Sequence, residues 1–205
     1  MVKYFDDNTK IRNEDTQSVR NAASLNSFLP KETVKCRGDA VFRTQAARDL
    51  ACLLDIDPDV DTWQCLPLVL GNGGDWHIPD FVVDRRGTRI LADSGTGPDW
   101  ACQAAVAAGY IYEVTDTTNS KLAVRLQNAR DLLRYAGHRV VLGDKVRLLA
   151  FLEEHGSMPI VSCLPLLQHC RDPIGVIARL CLDQALHIAL DDEAIGPETR
   201  VRRIK

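Results

Sequence analysis

The stretch WHIPDFVVDRRGTRILADSG, residues 76–95, decides the fold of this chain. Two apolar runs rich in β-branched residues predict strands over Trp76–Val83 and Thr88–Asp93, and the Asp84–Gly87 segment between them predicts a tight hairpin turn. Asp80 falls inside the first run and Asp93 ends the second, so an antiparallel pairing brings them side by side. Two carboxylates placed that way can share a divalent ion, so the cofactor expected is either Mg²⁺ or Mn²⁺ or none. Such an ion polarises a phosphoryl oxygen and activates water against a phosphodiester. Pro79 stiffens the approach to Asp80, and His77 precedes it in the same run. The plainer alternative is a pair of solvated acids at a hairpin end.

Working outward, Val41–Leu54 carries apolar residues near the helical period, Pro58 stops it, and Trp63–Leu70 reads as a strand interrupted by Pro67. Beyond the hairpin, residues 99–110 predict a short helix of small residues, residues 111–116 a strand, and residues 121–136 an amphipathic helix with Leu122, Leu126, Ala129 and Leu133 on one side. That order predicts an α/β domain over residues 36–140, a mixed sheet flanked by helices. Residues 1–35 read as a flexible N-terminal arm with a short helix around Val19–Phe28. Residues 141–205 predict a small C-terminal domain: helices over 145–155, 162–170 and 172–186, the last opened by Asp172 and Pro173, then two short strands. Three helices and a hairpin suggest a winged-helix-like unit, and the same order also fits a small interaction domain.

The 205 residues carry 25 Lys and Arg against 28 Asp and Glu, a formal charge of -3, so no chain-wide basic field attracts a polyanion. The charge is uneven: residues 1–120 are net -6 and residues 121–205 net +3, which puts any polyanion surface in the second half. No run is long and apolar enough to span a bilayer and no signal-peptide core opens the chain, so no membrane association and a cytoplasmic location are expected. Seven cysteines without a CxxC read as reduced, mostly buried thiols.

The phrases HIPDFVV and RILADSG resemble the core of the PD-(D/E)xK nuclease superfamily. ARDLACLLDIDPDVDTWQCLPLVL before them and YEVTDTTNSKLAVRLQNARDLLRYAG after them resemble the TnsA-type transposase endonuclease branch over residues 40–137. The resemblance implies a restriction-endonuclease-like fold, with Asp80 and Asp93 as metal-binding and catalytic acids and DNA or a transposase-like protein as partner. It also shows departures. The helix Glu is replaced by Ala47, the Lys of the second motif by Gly95, and the Gln before Pro67 by Leu66. The missing Lys would position water and offset charge on the phosphate, and losing one such group costs about 10²–10³ in rate. Gln45, Asp49, Lys121 and Arg125 are the candidates for replacing the lost groups.

The second half supplies a basic stripe. Lys121 and Arg125, and again Arg130 and Arg134, lie one helical turn apart, and Arg200, Arg202 and Arg203 fall in the final strand. These seven are the candidate DNA-binding residues, reading phosphates rather than bases. Three functions are therefore expected in order: a DNA-associated protein with a degenerate nuclease core, a metal-dependent DNA endonuclease using Asp80 and Asp93, and a non-catalytic protein-interaction scaffold.

Overall fold

The structure is a computed structural model describing residues 7–204, with side chains from Thr16 onward. The chain divides into two compact units: residues 7–29 with 35–118, and residues 30–34 with 119–204.

The first unit opens with helix α1 (Asp7–Ser24), which starts earlier and runs longer than the short helix expected around Val19–Phe28 of a flexible arm; the first six residues of that arm lie outside the described residues. The helix has a reason to dock. Val19 packs against the core, Ala23 is buried in it, and Arg20 donates to the carbonyls of Cys65 (2.6 Å) and Leu66 (3.2 Å). Helix α2 (Gln45–Ile56) begins four residues later than expected because the Thr44 hydroxyl accepts from the Ala47 N–H and caps it. Val41–Arg43 are consequently not helical, and this frees Arg43 for the site described below.

Strand β1 (Val60–Cys65) ends at Leu66, whose φ of 45° breaks the expected 63–70 strand. The remainder becomes β2 (Leu70–Asn72), paired with β3 (Asp75–His77) in a separate hairpin. The expected 76–83 strand is thus split at Ile78–Asp80, and β4 runs over Phe81–Arg85. It pairs antiparallel with β5 (Thr88–Ser94) through the two-residue turn Arg86–Gly87. Positive φ at both turn residues, 49° and 76°, matches the right-handed twist of the strands. Helix α3 (Ala101–Ala107) then returns the chain to β6 (Ile111–Thr115), parallel to β5. The sheet order is β1-β4-β5-β6, a mixed four-stranded sheet with α2 on one face and α3 on the other. Phe42, Trp63 and Phe81 form its aromatic centre, the last two edge-to-face at 5.4 Å. Cys102, expected among buried thiols, is exposed on α3.

The second unit contains α4 (Ala123–Leu133), α5 (Leu142–His155), β7 (Met158–Pro159), α6 (Ile160–Cys163) continued by a 3-10 turn (Leu164–Leu167), α7 (Pro173–Leu182), β8 (Leu186–Ile188) and β9 (Arg200–Arg203). The unit boundary falls at 118/119 rather than 140/141 because α4 packs on α7. Asp172 caps α7 by accepting from the Gly175 N–H, with Pro173 in the first turn as its sequence predicts. The two expected strands are joined by β7 into a sheet of order β7-β9-β8, which the two-residue length of β7 hides from any periodicity. Asn128 of α4, fully buried, ties down the segment before β9: it donates to the carbonyls of Leu190 (2.9 Å) and Glu193 (2.8 Å) and accepts from the Ile195 N–H (2.9 Å). No helix among the described residues is long and apolar enough to cross a membrane.

Candidate functional site

Register places Phe81 opposite Ala92, so Asp80 and Asp93 are the next facing pair, and both are almost fully buried. The expected juxtaposition is present: the Asp80 N–H donates to Asp93 Oδ1 at 2.9 Å. What fills the space between the carboxylates is Arg43. Its Nη2 lies 2.6 Å from Asp80 Oδ1, 2.9 Å from the Ile78 carbonyl oxygen and 3.8 Å from Asp93 Oδ1, and its Nε donates to Asp80 Oδ1 at 3.1 Å.

The other oxygens are also engaged. Asp80 Oδ2 accepts from the Ser94 N–H (3.0 Å) and hydroxyl (2.7 Å). Asp93 Oδ2 pairs with His77 Nε2 and accepts from the Tyr112 hydroxyl, both at 2.6 Å. Burial works against charge on Asp93, yet the contacts from His77, Tyr112 and the Asp80 N–H together outweigh it and hold the carboxyl below its ordinary 3.8. The Tyr112 phenol is pushed in the opposite direction, by burial first and then by its bond to the Asp93 carboxylate. Gly97 is required beside this group: a Cβ there would stand 1.7 Å from the Tyr112 hydroxyl oxygen.

A divalent ion needs oxygen lone pairs aimed at one point that no other cation occupies. Here every carboxylate oxygen of the pair already accepts a hydrogen bond, and a permanent cation stands at the convergence point. The residues as arranged do not fit Mg²⁺ or Mn²⁺. No group of three or more His, Cys, Asp or Glu side chains suited to a metal occurs among the described residues.

The departures from the nuclease pattern are built into the backbone and core. Ala47 is 1% exposed within the hydrophobic cluster of α2, where a Glu would bury its charge among Leu50, Ala51 and Trp63. Gly95 has φ +88°, a conformation a Lys adopts only under strain. Leu66 is held at positive φ by its N–H bond to the Asp80 carbonyl (2.9 Å). Among the candidate substitutes, Gln45 donates to Asp49 along α2 at 2.8 Å. Arg125 pairs with Asp191 at 2.7 Å, and Lys121 is exposed.

The basic candidates of the second unit are largely committed to neighbours. Arg200 binds Ser157, Arg203 pairs with Glu153 at 3.0 Å, and Arg134 lies 3.7 Å from Asp131. Arg130 is half-buried, while Lys121 and Arg202 are exposed. Helix α7 is apolar and covered: Gly175, Val176, Ile177, Ala178, Leu180 and Leu182 are buried. Across a cavity of about 250 Å³, Ile174, Ile177 and Ala178 face Leu132 and Tyr135 of the segment bearing α4. The residues between β8 and β9 include Asp191, Asp192, Glu193 and Glu198 and no base.

Arg43, Ser94 and Tyr112 were not legible as members of this site. The one available signal was an Arg immediately before the capping Thr44, four residues ahead of the position where the nuclease pattern has its Glu. Compared with known proteins, the chain matches no family model and no curated protein.

Proposed function

We propose that this chain is a DNA-associated protein with a catalytically silent TnsA-like core, a unit that binds rather than cuts. The observation that carries this reading is Arg43 between Asp80 and Asp93, with all four carboxylate oxygens engaged. The burial of Ala47 and the positive φ of Gly95 support it, since both exclude the side chains the chemistry would require. The helix–strand order from α5 to β9 is the order of a winged helix, which supports assigning that fold to the C-terminal region. Six of the ten residues of its third helix, α7, are buried, which favours contact with duplex DNA by phosphates through exposed Lys121, Arg134, Arg139 and Arg202 rather than by base edges.

A second reading, a transposase-type protein partner, is favoured by exposed Val141, Leu142 and Val146 at the start of α5.

Fluorescence anisotropy with unrelated duplexes, paired with a supercoiled-plasmid nicking assay in Mg²⁺ and Mn²⁺, tests the proposal. Sequence-independent binding is expected, with no nicking by the wild type or by Asp80→Ala. In a folded Lys121→Ala/Arg134→Ala/Arg202→Ala variant the salt slope should fall by about 0.9 for each phosphate contact removed. Nicking abolished by Asp80→Ala would establish the endonuclease instead. Absence of duplex binding would transfer the assignment to the protein-partner reading.

A further inference from the structure

Within the second unit, the link from α4 to α5 and the C-terminal part of α7 enclose an open pocket of about 520 Å³, whose polar lining is His138, Arg139, Lys145, Arg179 and Asp183. The charges of that lining do not cancel. Arg179 is committed: it pairs with Asp183 at 2.8 Å and donates to the Ala136 carbonyl oxygen, which fixes it as one wall. The acids of the adjoining helix starts are committed as well, Asp172 to the Gly175 N–H (2.9 Å) and Asp144 to Arg147 (2.9 Å). Arg139, exposed, and Lys145, half-buried, meet no carboxylate at ion-pair distance among the described residues. With His138 neutral, three cations face one carboxylate and the lining holds a surplus of two positive charges. His138 itself is seated on α7, where a Cβ on Gly175 would stand 2.7 Å from its Nδ1, so the glycine admits the ring to this wall.

We infer that this pocket binds a phosphomonoester dianion, the chemistry shared by a phosphorylated strand end and a free mononucleotide. The inference deepens the DNA-associated reading and rests on it for the strand end as source.

Charge selects the monoester over the diester. A phosphomonoester carries about -1.5 to -2 charges near neutral pH and three strong acceptor oxygens, which matches a surplus of two. A backbone diester carries a single charge and leaves one of the two bases uncompensated. The two bases are also complementary in kind: a guanidinium offers a planar fork to two phosphate oxygens, and an ammonium on a flexible stem offers a point charge to the third. Lys145 has the most to gain, because a cation partly withdrawn from water without a counter-charge bears a desolvation cost that a bound anion offsets.

Isothermal titration calorimetry of the full chain with inorganic phosphate, and with dimethyl phosphate as the diester control, tests the pocket. Wild type is expected to bind one inorganic phosphate per chain saturably and dimethyl phosphate roughly tenfold more weakly. Arg139→Gln and Lys145→Gln should each weaken phosphate binding about tenfold, and the double variant, with folding checked by circular dichroism, should abolish it. Lys145→Arg, which keeps the charge, should retain it. Absence of saturable phosphate binding by wild type would overturn the inference, and so would undiminished binding by the folded glutamine variants or equal affinity for dimethyl phosphate. Duplexes that differ only in a terminal phosphate or hydroxyl, compared by fluorescence anisotropy, separate the sources. Tighter binding of the phosphorylated end, lost in the double variant, assigns the strand end. Equal duplex binding with displacement of inorganic phosphate by a nucleoside monophosphate assigns the mononucleotide. Phosphate binding without duplex binding would keep this site and remove the DNA-associated reading, and duplex binding without phosphate binding would do the reverse, so the two fail separately.

Discussion

The two units contain ion pairs of nearly the same length placed in opposite surroundings. Arg43 meets Asp80 at 2.6 Å and Arg125 meets Asp191 at 2.7 Å. In the first pair the carboxylate is 8% exposed, and the guanidinium also holds a carbonyl and faces a second buried carboxylate. In the second the carboxylate is 66% exposed and the contact is a single bond at the surface. Distance therefore says little about what either pair is worth. In the first pair the acid has left water, so its partner is obligatory; in the second, water is an equal competitor. The same contrast separates the functional expectations, because a site whose charges are internally satisfied has little capacity for a ligand ion, whereas loosely paired surface bases can exchange partners with a phosphate.

The largest expected effect lies at the buried end of this contrast. Asp93→Ala leaves His77, the Tyr112 hydroxyl and the Asp80 N–H without their acceptor and leaves Asp80 and Arg43 to rearrange. Breaking a buried charge cluster of this kind should cost about 3–5 kcal/mol, read from urea unfolding of the variant against wild type. A loss below about 1 kcal/mol would put this cluster in the same class as the surface pairs and dissolve the comparison.

Acid should discriminate the units in a milder way. The folded pKa of Asp93 lies below its ordinary 3.8, so the folded state binds fewer protons there than the unfolded chain does. The stabilisation from this group is fully present above the unfolded value and is lost as pH falls through the folded one. Stability measured between about pH 5 and pH 2 should therefore fall more steeply in wild type than in Asp93→Asn, which has no proton to gain. Equal slopes would mean that other carboxylates carry the acid sensitivity.

How much of this was readable beforehand follows the same physics. The hairpin that pairs Asp80 with Asp93 was legible because alternation, a two-residue turn and strand ends are local properties. The strand Ile111–Thr115 and the capped start of α7 at Asp172 were legible for the same reason. The start of α2 was missed because Val41 and Phe42 fit a helical period while also serving the core as extended residues; the Thr44 cap settles the competition. Helix α1 was read only in part, as a short helix around Val19–Phe28, because its docking depends on long-range partners, Arg20 to the carbonyls of Cys65 and Leu66, which no local pattern encodes. Arg43 was missed for a related reason. A motif search asks whether expected groups are present, and so finds Ala47 and Gly95 as losses without asking what neutralises the acids that remain. The rule that buried carboxylates need partners would have directed attention to nearby bases, but it could not have chosen Arg43 over Arg48 without coordinates.

The smallest expected effect is at the surface and sets the scale for the rest. A double-mutant cycle on Arg125→Gln and Asp191→Asn isolates that pair from whatever else each residue does. Its coupling should be no more than about 1 kcal/mol, because Asp191 is well solvated and two long side chains give up rotamer freedom to meet. It should shrink further in high salt, where exposed charges are screened. The segment carrying Asp191 is separately anchored by the buried Asn128, which holds Leu190, Glu193 and Ile195, so loss of the ion pair should leave the loop in place. If the coupling instead exceeded about 2 kcal/mol and resisted salt, Arg125 would belong with Arg43 as a structural cation, and its removal from the set of phosphate contacts would have to be complete.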